Sequence, residues 1–312
     1  MVINTGSRTD IPAYYSRWFY NRIREGFVLV RNPYNPEQVT RYRLNPDVVD
    51  CLAFCTKNPE PMLERLGELK GFRQLWFVTI TPYGKEIEPH VPDKARVMEA
   101  FKRLSKAVGR QAVGWRYDPI FIDNTYSLEF HLERFEQMAE KLSGYTDYCI
   151  ISFIDLYQKT KRNFPGVREV TREERQVLGR EFVRIGKKYL ISIKSCCEGE
   201  DLKPWGVDTS GCMTKEVIER ATGLTLSLPG RKQPARKGCA CLLGDDIGVY
   251  NTCGHGCLYC YANEDREQAA ANLRYHDPDS PLLAGRLLPG EKVRDAEQVS
   301  WADGQMRLLF DI

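Results

Sequence analysis

Short apolar runs alternate with amphipathic stretches along most of the chain. Residues 2–4, 49–54, 75–80, 112–115, 148–154 and 189–193 are rich in β-branched or aromatic side chains and read as buried strands. Between them the helical period predicts helices over residues 13–24, with Trp18, Phe19 and Ile23 on one face; 93–108, with Val97, Phe101 and Leu104; 129–142, with Phe135, Met138 and Leu142; and 172–187. Residues 27–31 and 39–44 flank Asn-Pro-Tyr-Asn-Pro and predict a hairpin-like ribbon. Strands alternating with helices favour a parallel sheet with right-handed crossovers.

In parallel α/β folds, ligands collect past the C-terminal ends of the strands. There this chain is polar: Gly-Ser-Arg-Thr-Asp-Ile-Pro at 6–12, Thr-Lys-Asn-Pro at 56–59, Thr-Ile-Thr-Pro at 79–82, Arg-Tyr-Asp-Pro at 116–119, then Asp155, and Lys-Ser-Cys at 194–196. Any one of these segments reads equally well as a helix cap with a proline at the first helical turn. Six of them on one rim predict a binding pocket.

With 312 residues and 42% hydrophobic content, the chain can bury one large core, or a core with a small satellite. No run of about 18 apolar residues is present, and the first residues lack the charged and apolar regions of a signal peptide, so a cytoplasmic protein without membrane association is expected. A net charge of +3 is too small to mark a dedicated nucleic-acid binder, although it permits an anionic substrate. Eleven cysteines in a reducing compartment need an explanation other than disulfides. Cys51, Cys55 and Cys149 lie in or beside apolar runs and read as small hydrophobes. Cys196, Cys197, Cys212, Cys239, Cys241, Cys253, Cys257 and Cys260 fall together among Gly, Pro and polar residues, and metal ligation is the leading account of them. The basic segment 230–238 reads as a surface loop. The charged tail after Pro278 ends in a run, 306–310, suited to docking on the core.

The string Cys253-Gly-His-Gly-Cys257-Leu-Tyr-Cys260 can hold three irons of a 4Fe-4S cluster and leave the fourth open as a reaction site. Gly254 and Gly256 suit a tight cluster-binding loop. Two closed alternatives stand beside this reading: a zinc site built from Cys257, Cys260, Cys239 and Cys241, and an electron-transfer cluster completed by a fourth cysteine. His255, between two of the cysteines, fits a hydrogen-bonding role in the loop better than ligation.

At these residues the chain resembles the radical S-adenosylmethionine superfamily, whose CxxxCxxC signature with an aromatic before the last cysteine is met by Cys253, Cys257, Tyr259 and Cys260. The longer string from Tyr250 to Ala262 is most similar to the spore photoproduct lyase-like branch. Through Ser7-Arg-Thr-Asp-Ile-Pro12, Phe27 to Pro33, Thr56-Lys-Asn-Pro-Glu-Pro61 and the cysteine string, nearly the whole chain also resembles a bacterial family known only as a domain of unknown function.

The first resemblance implies a partial or full TIM-like (β/α) barrel with the cluster loop after its first strand. Here the loop lies near the C-terminus, so a circular permutation is expected: residues 1–230 form the barrel core, 231–275 complete it with the cysteine-rich segment, and 276–312 form a docking tail. Residues 246–252 would then supply a strand beside the N-terminal one. The implied cofactors are a 4Fe-4S cluster on Cys253, Cys257 and Cys260, and S-adenosylmethionine on the open iron. A flavodoxin or ferredoxin is the implied electron donor, and the substrate is open, nucleic acid included. Lys57, or else Arg116, would meet the methionyl carboxylate; Thr9, Asp10 and Thr79 would contact the ribose or amino group; Tyr259 would pack near adenine. Cys196 (or Cys197), Cys212, Cys239 and Cys241 could hold a second, auxiliary 4Fe-4S cluster or a zinc ion. The alternative is a non-catalytic iron-sulfur or zinc protein, such as a redox sensor or nucleic-acid-binding module.

Overall fold

A computed structural model of the chain describes residues 1–228, 239, 241–242 and 244–306. The basic segment 230–238, the boundary placed at 230/231 and residues 307–310 of the tail's apolar run lie outside them. Among the described residues, twelve strands occur in chain order: β1 (Val2–Asn4), β2 (Phe27–Arg31), β3 (Gln38–Arg43), β4 (Cys51–Thr56), β5 (Gln74–Thr79), β6 (Val113–Ile120), β7 (Tyr148–Phe153), β8 (Ser192–Ser195), β9 (Leu224–Leu226), β10 (Asp245–Asp246), β11 (Lys292–Asp295) and β12 (Ala302–Met306).

Seven of them form one sheet in the order β10-β1-β4-β5-β6-β7-β8, every neighbouring pair parallel. Strands of such a sheet are covered on both faces and read as continuous apolar runs, and β7 (Tyr-Cys-Ile-Ile-Ser-Phe) is buried at every position. Helices Lys94–Val108, Leu128–Leu142 and Arg172–Tyr189 supply the cover. Trp115 of β6 stacks on Phe135, which stacks in turn on Phe182, with ring centroids 4.8 and 3.9 Å apart, so one aromatic column ties the sheet to two helices. Helix-flanked and parallel, the sheet is compatible with a partial TIM-like barrel; β8 and β10 are its two edges.

Several boundaries differ from those the pattern predicts. The helix expected over residues 13–24 is two, Ile11–Tyr14 and Ser16–Glu25, because the chain leaves helical geometry at Tyr15. Tyr15 is buried there, and its hydroxyl donates to the Thr252 carbonyl (2.6 Å), fastening this helix pair to the cysteine loop. The strand expected at 189–193 is Ser192–Ser195. A full capping box at Thr171 and Glu174 starts the preceding helix, which runs through Tyr189 to a left-handed Leu190. β6 does not stop before Pro119 but runs through it, with a shift of register between Tyr117 and Ile120.

The late strand is also shorter than expected. Only Asp245 and Asp246 pair with β1, and the Ile247 amide extends the ladder by donating to the Asn4 carbonyl (2.9 Å). The Asp246 carboxylate then accepts from the Gly248 amide (2.7 Å) and the Ser7 amide (2.7 Å), turning residues 248–250 out of the sheet.

The ribbon forms as expected, β2 antiparallel to β3, and β11 joins it in parallel. β12 pairs antiparallel with β9. Among the described residues no helix is long and apolar enough to cross a membrane.

Candidate active site

The polar rim and the cysteine loop meet in one place. Past the C-terminal ends of β1, β4, β5 and β6 lies a cavity of about 200 Å³ whose walls include Thr9, Asp10, Lys57 and Thr79 on one side and Cys253, Cys257, Tyr259 and Cys260 on the other. Outside the cysteines, the site residues expected from the sequence are Thr9, Asp10, Lys57, Thr79, Arg116 and Tyr259, and all but Arg116 line this cavity.

The loop's path follows from its glycines and a few backbone clamps. A Cβ on Gly254 would lie 2.6 Å from the Tyr14 ring, and Gly256 sits at φ +69° with its absent Cβ 3.3 Å from His90. The His90 amide donates to the His255 carbonyl (3.1 Å) and the Leu258 amide to the Ile87 carbonyl (3.0 Å). Asn263 donates from its side chain to the Cys253 carbonyl (2.6 Å). The Cys260 sulfur accepts from the amides of Ala262 (3.4 Å) and Asn263 (3.2 Å), the N–H donation a thiolate ligand requires.

His255 takes the hydrogen-bonding role. Its Nε2 meets the Asp10 carboxylate at 2.8 Å and its Nδ1 meets the Tyr14 hydroxyl at 3.2 Å, so both ring nitrogens have protein partners. Asp10 also accepts from the Ala13 amide (3.0 Å), capping the first helix, and from the Lys57 amide (2.7 Å). It thus joins β1, β4 and the cysteine loop through one carboxylate.

Lys57 donates to Glu88 (2.8 Å) and lies over the Tyr259 ring, its Nζ 5.4 Å from the centroid. Glu88, 1% exposed, also accepts from Thr81 (2.7 Å), Lys94 and the Tyr259 hydroxyl. Burial alone would raise the Glu88 pKa, but Lys57 and Lys94 outweigh it and hold the carboxyl down to about 2. Two cations on one carboxylate leave a positive excess beside Cys257. Burial pushes the thiols the other way, Cys257 up to about 12 and Cys253 well above its usual value. Thr9 completes the wall: its hydroxyl is buried and, among the described residues, has no hydrogen-bond partner.

Arg116 stands apart. It pairs with Asp118 (Nε to Oδ2, 3.1 Å), and its Nη1 lies 3.7 Å from the Cys212 sulfur, on the wall of an adjoining cavity of about 510 Å³. Gly6, Ser7, Cys55, Thr79, Asp118 and Tyr261 line both cavities, which makes them neighbours. Cys196, Cys212, Cys239 and Cys241 also line the larger one. Cys55, expected to be a plain core residue, faces both spaces, whereas Cys51 and Cys149 are fully buried. Among the described residues no group of three or more His, Cys, Asp or Glu side chains has the geometry of a formed metal site.

Sequence reasoning missed Lys94 and the Tyr14–His255–Asp10 chain of contacts. Lys94 opens the helix Lys94–Val108 and had only that position as a signal. The histidine contacts join residues more than two hundred positions apart, and no local pattern marks them.

The profile of the family described as domain of unknown function (DUF1848) matches residues 2–262. The chain belongs to this family. The match ends just beyond Cys260, so the DUF1848 domain holds the seven-stranded sheet and the whole cysteine loop and leaves out residues 263–312. No curated protein matches the chain.

Proposed function

We propose that this DUF1848 protein is a radical S-adenosylmethionine enzyme acting on an unknown substrate. The observation that carries the reading is the convergence of Cys253, Cys257 and Cys260 with the buried Thr9 hydroxyl and Lys57 on one cavity at the C-terminal ends of parallel strands. A closed site completed by His255 is disfavoured, because both of its ring nitrogens are engaged. On this reading the fold is a circularly permuted (β/α) barrel: β10 takes the place of the first strand, and the cysteine loop follows it.

The residues fit the group. Cys253, Cys257 and Cys260 would hold three irons of a 4Fe-4S cluster, and the amide donors at Cys260 and the nearby lysines offset the negative charge of the thiolates. When bound, the cluster and S-adenosylmethionine together supply one-electron cleavage of a carbon–sulfur bond and a 5'-deoxyadenosyl radical that abstracts hydrogen from the substrate. Lys57, already positioned by Glu88, offers a charge to the methionyl carboxylate. Thr9 offers a hydroxyl to the ribose or amino group, and Tyr259 offers a ring edge to adenine. Asp10 acts at one remove, fixing the loop through His255. Arg116, in the adjoining cavity, falls on the substrate's side. The electron donor would be an external flavodoxin or ferredoxin.

The test is anaerobic reconstitution with iron and sulfide, followed by titration with S-adenosylmethionine. About four irons per chain are expected, with an electron paramagnetic resonance signal of the reduced protein that S-adenosylmethionine alters. Lys57→Met is expected to weaken that binding about tenfold, ~1.4 kcal/mol. A protein that takes up zinc in place of iron, or a signal indifferent to S-adenosylmethionine, contradicts the reading.

A further inference from the structure

We propose that Cys196, Cys212, Cys239 and Cys241 form a second metal centre, a closed tetrahedral thiolate site for one zinc-class divalent ion. This centre fastens the segment that leads into the cysteine loop to the opposite edge of the open sheet. It is independent of the reading of the 253–260 loop.

Distances decide the kind of centre. The Cys212 sulfur lies 3.1 Å from that of Cys241 and 3.5 Å from that of Cys196. Cys239, separated from Cys241 by Ala240 alone, lines the same cavity as Cys196, Cys212 and Cys241. A zinc–sulfur bond of ~2.3 Å in tetrahedral geometry sets neighbouring sulfurs about 3.8 Å apart. The two Cys212 separations, 3.1 and 3.5 Å, fall short of that spacing, so the thiols touch directly and would open slightly around an ion. In a 4Fe-4S cube each thiolate binds a different iron, and the sulfurs stand much farther apart. The spacing therefore favours a single ion over a second cube.

The surroundings suit bound thiolates. Four of them on a divalent ion leave a net negative charge. The Arg116 guanidinium lies 3.7 Å from the Cys212 sulfur, and the Met213 amide donates to the Cys241 sulfur at 3.4 Å. Asp118 shares the Arg116 charge, so the offset is partial.

Topology gives the centre a purpose. Cys196 directly follows β8, one edge of the sheet, and Cys241 directly precedes the stretch that becomes β10, the other edge. The Leu242 amide already donates to the Met213 carbonyl (2.8 Å), bringing the two segments together. A metal ion here closes by coordination the gap that the parallel ladder leaves open, and it does so just ahead of the cysteine loop.

The experiment uses the full-length protein with Cys253, Cys257 and Cys260 all changed to Ala, purified without oxygen from medium supplied with both zinc and iron, and its metal content measured by mass spectrometry. About one zinc and almost no iron per chain is expected. Adding Cys212→Ala or, where that variant fails to fold, Cys239→Ser should remove the zinc, whereas Cys197→Ala should keep it. Cobalt added to the metal-free protein should give the intense thiolate-to-metal absorption of a tetrahedral site, and stripping the zinc should lower Tm by roughly 5 °C. A chain without metal, or one with about four irons and cluster absorption, overturns the proposal and leaves the reading of the 253–260 loop untouched.

Discussion

Changing Cys257 to Ala is expected to lower iron in the reconstituted protein from about four atoms per chain to well below one, and to cut reductive cleavage of S-adenosylmethionine at least ~1000-fold, equivalent to about 4 kcal/mol. Cys257 is the middle cysteine of the three and is 7% exposed, and its thiol is raised by burial, with Lys57 acting against that rise. Two cysteines cannot hold a cube with one open iron, so the loss is expected to be complete and not graded. The zinc of the second centre should remain, because none of its ligands lies in this loop. Iron and zinc counted on the same sample check both statements at once.

A large loss of stability is expected from Glu88→Gln. The carboxyl is buried and accepts from four side chains, so its removal takes from Lys57 and Lys94 the carboxylate they both pair with. Breaking a buried pair in this way costs about 3 to 5 kcal/mol. Linkage gives a matching figure. A carboxyl with an ordinary pKa of 4.5 held down to about 2 in the fold contributes about 3 kcal/mol. That contribution is fully present above pH 4.5 and is lost as the pH falls toward 2. Denaturant unfolding across that range should therefore show a steep acid loss in the wild type. The Glu88→Gln variant should be weaker near neutrality, and the gap should close as the pH falls to the folded-state pKa of the carboxyl. A gap that stays constant with pH would mean that Glu88 acts by packing and not by charge.

The core strands were legible because their period and apolar content reflect burial on both faces, as β7 shows by being buried throughout. The rim was legible for a related reason. Residues that end parallel strands have few places to go, and Thr9, Asp10, Lys57 and Thr79 do share a cavity. Which cavity a rim residue faces was not legible. Arg116 belongs to the adjoining one because of Asp118 and Cys212, a partner distant in sequence. β10 is shorter than the pattern predicts because two ladder residues and an Asp246-capped turn hold it, features too short for any periodicity to mark. The pairing of the tail through β11 and β12 was hidden for the same reason: exposed, charged strands such as Lys292–Asp295 carry no apolar alternation.

The cysteine loop follows β10, which pairs with β1, and lies over the same rim. The central claim is that this loop carries an open iron that activates S-adenosylmethionine. Chromatography of the reaction of dithionite-reduced, reconstituted wild-type protein with S-adenosylmethionine tests it most directly. The account predicts 5'-deoxyadenosine and methionine in equal amounts, dependent on reductant and absent with Cys257→Ala. Protein that holds about four irons per chain and yet yields no 5'-deoxyadenosine would contradict it.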